Sequence, residues 1–126
     1  MPLPANLAGR ARFHDYKGKR IYITDGSSLG VDEIFQIVDQ CARDIRSQPP
    51  GSVLAIVNAA GARLDRRVME KMRWLADGNK PYVKAAAVVG LSSVHKFILN
   101  TVAIVTRREF HAFDTLEEAK EFLVKL

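Results

Sequence analysis

The sequence predicts a single α/β domain, a mixed sheet of about five strands packed with about four helices in the order β-β-α-β-α-β-α-β-α. Three observations predict it. Two short apolar runs, Val53-Leu54-Ala55-Ile56-Val57 and Val83 to Val89, are bounded by Gly, Pro or Asn. Such runs suit strands covered on both faces of a largely parallel sheet. Stretches of helical period lie between the later strands, and the hairpin signal Tyr16-Lys17-Gly18-Lys19 joins two strand-like segments near the start, which makes the sheet mixed.

The elements follow in order. Residues 1–9, rich in Pro and small side chains, are expected as a flexible lead-in, leaving residues 10–126 as the domain. Arg10 to Asp15 and Arg20 to Thr24 are the hairpin arms. The first helix gathers Val31, Ile34, Phe35, Val38, Cys41, Ala42 and Ile45 within about 120° of a helical wheel, and Pro49-Pro50-Gly51 stops it. After the strand at Val53, a second helix presents Leu64, Val68, Met69, Met72, Leu75 and Ala76, and Asp77-Gly78-Asn79-Lys80-Pro81 is expected to end it. Ser92 or Ser93 caps a third helix whose core face holds Val94, Phe97, Ile98, Thr101, Val102 and Val105. Glu109 to Phe113 forms a short last strand. Thr115 with Glu118 three residues later is a capping box, opening a helix that buries Leu116, Ala119, Phe122 and Leu123.

Composition narrows the function classes. With 126 residues, 48% of them hydrophobic and 26% charged, the chain supports one core without disulfide or metal staples. The lone Cys41 has no internal partner, which points to a reducing compartment. The start lacks a basic region followed by an apolar run, and no stretch approaches the roughly 20 apolar residues of a membrane span, so a cytoplasmic protein without membrane insertion is expected. The net charge of +5 resides in residues 51–100, which carry eight basic and three acidic groups. The excess is therefore a local surface.

Two groups of residues are candidates for function. On the second helix Arg63, Arg67, Glu70 and Trp74 are expected on one face, opposite the apolar stripe. Exposed Trp beside Arg is the composition of a protein-binding hot spot. The turn Asn58-Ala59-Ala60-Gly61 precedes this helix, with Asn58 and Gly61 shaping it. The second group lies where the loops after strands two, three and four meet at one sheet edge: Asp25, Ser27, Asn58, Gly90, Ser92 and Ser93. Small residues and helix N-termini there favour a small anionic or lipid-like ligand. Leu99 and Ala103 lie off the main stripe of the third helix and either pack against the final strand and helix or form a homodimer face.

Enzyme chemistry has little support. His14, His95 and His111 lie in separate elements without metal-ligand spacing, Cys41 falls on an apolar helix face, and no nucleophile elbow, P-loop or dinucleotide fingerprint occurs. No cofactor is implied. Nucleic-acid binding through the basic helix ranks below both binding readings and above an enzyme, since no aromatic-rich sheet motif or recognition module accompanies the charge.

The order of elements and two phrases, Lys80-Pro81-Tyr82-Val83-Lys84-Ala85-Ala86-Ala87-Val88-Val89-Gly90 and Phe110-His111-Ala112-Phe113-Asp114-Thr115-Leu116-Glu117-Glu118-Ala119, resemble the STAS-like family, named for sulfate transporters and anti-sigma-factor antagonists. The likeness is strongest to its stand-alone bacterial SpoIIAA-like branch and spans about residues 10–125. The resemblance implies a small regulatory or ligand-sensing module that works by binding. Antagonists of that family carry a phosphorylatable Ser in an Asp-Ser-Ser-Gly turn. The corresponding Asn58-Ala59-Ala60-Gly61 keeps the Gly but has no hydroxyl, so a phosphorylation switch at this turn is not expected. The reading from sequence is a non-enzymatic module with an unidentified protein partner, with small-ligand binding at the loops as the alternative.

Overall fold

The structure is a computed structural model that describes residues 3–97, 100 and 110–126. Strands β1 (Ala11–Tyr16), β2 (Lys19–Asp25), β3 (Val53–Asn58), β4 (Val83–Val89) and β5 (Phe110–Phe113) lie side by side in chain order. β1 pairs antiparallel with β2, and all other pairings are parallel. The hairpin turns through Lys17 and Gly18 at φ 48° and 81°, the positive values that a two-residue turn with matching twist demands.

Alternation along the strands divides the core. Tyr22, Val53, Ala55 and Ala86 face helices α1 (Val31–Ile45) and α2 (Arg66–Asn79). Ile21, Ile23, Leu54, Ile56, Ala87 and Val89 face α4 (Leu116–Val124) on the other side. A short helical stretch at residues 93–97, α3, follows β4. Tyr22 is wholly buried and donates its hydroxyl to Asp44 Oδ2 at 2.6 Å; burial, then this bond, push its phenol pKa upward. Thr115 caps α4, accepting from the Glu118 N–H at 3.2 Å, as the capping box requires.

Three expectations are corrected. The lead-in is docked: Ala5–Leu7 form a 3-10 turn, Leu7 is fully buried in the α1 and α2 core, and Leu3 packs against the same cluster. Apolar burial supplies the reason, and Arg10 adds to it by donating to the Ser27 carbonyl at 3.0 Å. Second, α2 starts later than the wheel assumed, because Asp65 is its N-cap and accepts from the Val68 N–H at 3.0 Å. Arg63 thus lies in the preceding loop and shares no helix face with Trp74.

At its other end α2 runs through Asp77 and Gly78 and stops at Asn79, within the stretch expected to end it. Gly78 lets the Arg46 guanidinium lie directly on the helix, where any Cβ would collide with it. Finally, Val94 and Phe97 are exposed, at 68% and 73%; His95 of α3, and Leu91 before the helix, are the residues turned toward the core. Ile98, Leu99, Thr101, Val102, Ala103, Val105 and Glu109, used in the sequence reading, lie outside the described residues.

Candidate functional site

The loops after β2, β3 and β4 do meet at one edge, and backbone bonds join them. Gly26 N–H donates to the Asn58 carbonyl at 2.8 Å, Ser28 N–H to that of Ala60 at 2.9 Å, Arg63 N–H to that of Leu29 at 3.1 Å, and Ala59 N–H to that of Val89 at 2.8 Å. Most polar side chains gathered here serve this architecture. Asp25 Oδ1 accepts from the Ser27 N–H at 3.0 Å and from its hydroxyl, and Asn58 Oδ1 accepts from the Ala60 N–H at 3.1 Å. Ser92 Oγ accepts from the His95 N–H at 3.3 Å and lies 3.0 Å from His95 Nδ1. Ser93 is exposed. Gly90, at φ 82°, packs so closely on Ala60 that an added Cβ would sit 2.6 Å from the alanine methyl.

Behind this edge lies an apolar cavity of about 100 Å³ between the sheet and helices α1 and α2. Strand register explains it. Ala55 and Ala86 are direct partners across β3 and β4 on the face that looks at the helices, so two methyl groups stand where larger side chains would fill the layer. The next row on that face is Thr24, Val57 and Val88, also paired in register. The roof comes from α1, through Ile34, Val38 and Cys41, and from α2, through Val68, Met69 and Met72. Asn58, Leu91 and His95, all part-exposed, line the end at the loops. No Lys, Arg, Asp or Glu is among the described lining residues.

Four polar side chains reach the cavity: Thr24, Asn58, Asn79 and His95. Asn79 is 3% exposed; its Oδ1 accepts from Arg46 Nε at 2.9 Å and its Nδ2 approaches Cys41 Sγ at 3.9 Å. Asn58 and His95 have the local partners already named. Thr24 is different. It is 2% exposed, and its Oγ1 has no hydrogen-bond partner.

The second candidate surface takes another form than the wheel implied. Trp74 is 44% exposed, but the cations over its ring are Lys71 Nζ at 4.0 Å and Arg46 Cζ at 4.4 Å from the centroid. Lys71 also pairs with Asp39 at 2.6 Å, so the indole is held over α1. Arg67 instead pairs with Asp65 at 3.1 Å, and the Val68 N–H, then Arg67, hold the Asp65 carboxyl below its ordinary range. Arg66 pairs with Glu70 at 3.2 Å. Gly61, at φ 65°, turns beside Ser28.

Sequence reasoning thus placed Asp25, Ser27, Asn58, Gly90, Ser92 and Ser93 around the mouth, of which Asn58 lines the cavity. It missed Thr24, Ala55 and Ala86. The available signal was alternation: Thr24 follows Ile21-Tyr22-Ile23 in a buried strand and shares the face of Tyr22. Among the described residues, no group of His, Cys, Asp and Glu is arranged to hold a metal ion, and no helix is long and apolar enough to cross a membrane.

No protein-family model matches the chain, and no curated protein matches it. Among solved structures, it is similar to that of an uncharacterized protein of the DUF3478 family with a SpoIIAA-like fold from Shewanella loihica PV-4. The TM-score is 0.70 at 12% sequence identity, covering 90% of this chain and 91% of that one. Strand order, the antiparallel first hairpin, the helices on both faces and this likeness along nearly the whole length agree: the chain has the SpoIIAA-like fold.

Proposed function

We propose that this domain is a non-enzymatic binding module that takes a small, largely apolar, lipid-like molecule into the cavity between its sheet and helices α1 and α2. The observation that carries this reading is the uncharged cavity itself, opened by the Ala55 and Ala86 pair and reaching the loop edge. Pockets of this kind, mostly apolar with a few placed polar groups, are the usual form of small-molecule sites. An apolar cavity lined by aliphatic side chains binds molecules such as benzene without polar contacts. The described lining offers no Lys or Arg to an anion, so the anionic version of the loop-site reading has less support.

A thermal-shift series with toluene as probe tests the proposal. Ligand at tenfold its Kd should add about 1.4 kcal/mol of stability, roughly 5 °C of Tm for a domain of this size. Ala86→Leu fills the floor and should abolish the shift while leaving the circular dichroism spectrum unchanged. Absence of any shift in the wild-type protein, across toluene and its near homologues, defeats the reading.

A protein partner at α2 is the second reading, favoured by one observation: Trp74 is nearly half exposed and fixed in place by Lys71 and Arg46. A rigid aromatic anchor loses little entropy on binding. Replacing Trp74 and Arg67 by Ala should weaken partner capture from the native host by about tenfold or more without changing the unfolding midpoint by more than a few tenths of a kcal/mol. Equal recovery by the variant removes this surface from consideration.

A further inference from the structure

Resting on the cavity reading above, we infer that Thr24 selects the ligand: the cavity is built for a neutral molecule with an apolar body and one hydroxyl or carbonyl oxygen placed against Thr24 Oγ1. The inference starts from an unpaired group. Thr24 lies in β2 between two paired neighbours, Ala11 in β1 and Val57 in β3. It is 2% exposed, and its Oγ1 finds no hydrogen-bond partner, although it lines the cavity. A buried hydroxyl left unpaired is destabilising, and valine would fill the same volume without that cost. The alternation of β2 aims Thr24 to the same side as Tyr22, toward the helices, where the residue lines the cavity.

The other buried orphan, Arg46 Nη2, does not compete. It is pressed against Gly78 beneath Trp74, and Arg46 does not line the cavity. Asn79, the remaining deeply buried polar side chain of the lining, is already engaged by Arg46 and Cys41.

The chemistry of the complement follows. A threonine hydroxyl both donates and accepts, so it matches an alcohol or a carbonyl equally. A carboxylate would enter a space in which the described lining offers no Lys or Arg, and an ion buried without a partner is strongly disfavoured. A plain hydrocarbon would fit the walls but leave Thr24 unpaired.

Toluene, benzyl alcohol and benzoate share one ring and differ at one substituent, so their affinities for the intact chain, measured by calorimetry, read the selection. In Thr24→Val benzyl alcohol should bind about tenfold more weakly, while toluene binds as well as before or better. Thr24→Ser keeps the oxygen and should restore the benzyl alcohol to toluene ratio. Benzoate should bind none of the three proteins at neutral pH. Parallel changes for toluene and benzyl alcohol in Thr24→Val, as expected if a buried water satisfies the hydroxyl, would overturn the inference while leaving the cavity reading intact. If toluene fails to bind the wild-type protein, the cavity reading falls and the selection falls with it.

Discussion

Gly90→Ala is expected to destabilise the domain by about 2–5 kcal/mol, the sum of a backbone and a contact contribution. Gly90 adopts φ 82°, a conformation that disfavours any L side chain by about 1–2 kcal/mol. Its added methyl would also lie 2.6–2.8 Å from the Cβ, Cα and N of Ala60. Backbone is the obstacle here, so the β3–α2 turn must shift, at a further cost of about 1–3 kcal/mol typical of overpacking. Gly18→Ala separates the two contributions, since Gly18 has nearly the same φ, 81°, with nothing within 4 Å of the added carbon. Urea unfolding of both variants should show the Gly18 variant losing about 1–2 kcal/mol and the Gly90 variant clearly more. Equal losses would mean that the contact with Ala60 contributes nothing.

Leu7→Ala should cost about 2–5 kcal/mol, as large-to-small changes at fully buried positions do. Leu7 has no exposed surface and belongs to the cluster that includes Tyr22, Ile34 and Leu75. A loss of this size is a large part of the 5–15 kcal/mol by which domains are usually stable. Asn6→Ala is the matched control: the exposed Asn6 side chain makes a single, solvent-exposed 3.4 Å hydrogen bond, to Glu33, so its removal should change stability by less than about 0.5 kcal/mol. Were residues 3–9 a loose lead-in, the two variants would have indistinguishable denaturation midpoints.

The fold was legible because its signals are local. The runs at Val53 and Val83 are strands with nearly the expected bounds, Lys17-Gly18 is the hairpin turn, and Thr115 with Glu118 opens the last helix. Misreadings arose where a residue answers to a distant neighbour. Leu7 sits among small and Pro residues, and only the assembled core shows what it covers. Val94 and Phe97 follow an apolar period, but they are exposed, and the residue of α3 that lines the cavity is His95. The cavity-lining residues were harder still. Ala55 and Ala86 are unremarkable alone and make a cavity only because the β3 and β4 register sets them side by side. Thr24 is an ordinary strand former until the helix layer closes over it and leaves its hydroxyl unanswered.

The succession of strands in the sheet has a bearing on how the chain is made. Every strand pairs with the one synthesised just before it: β2 with β1, β3 with β2, β4 with β3 and β5 with β4. A nascent chain leaving the ribosome can therefore extend the sheet at one growing border, starting from the hairpin, and no strand has to be threaded between two that are already joined. At each stage the newest strand supplies the one edge that changes, while β1 holds the opposite border from the first hairpin onward.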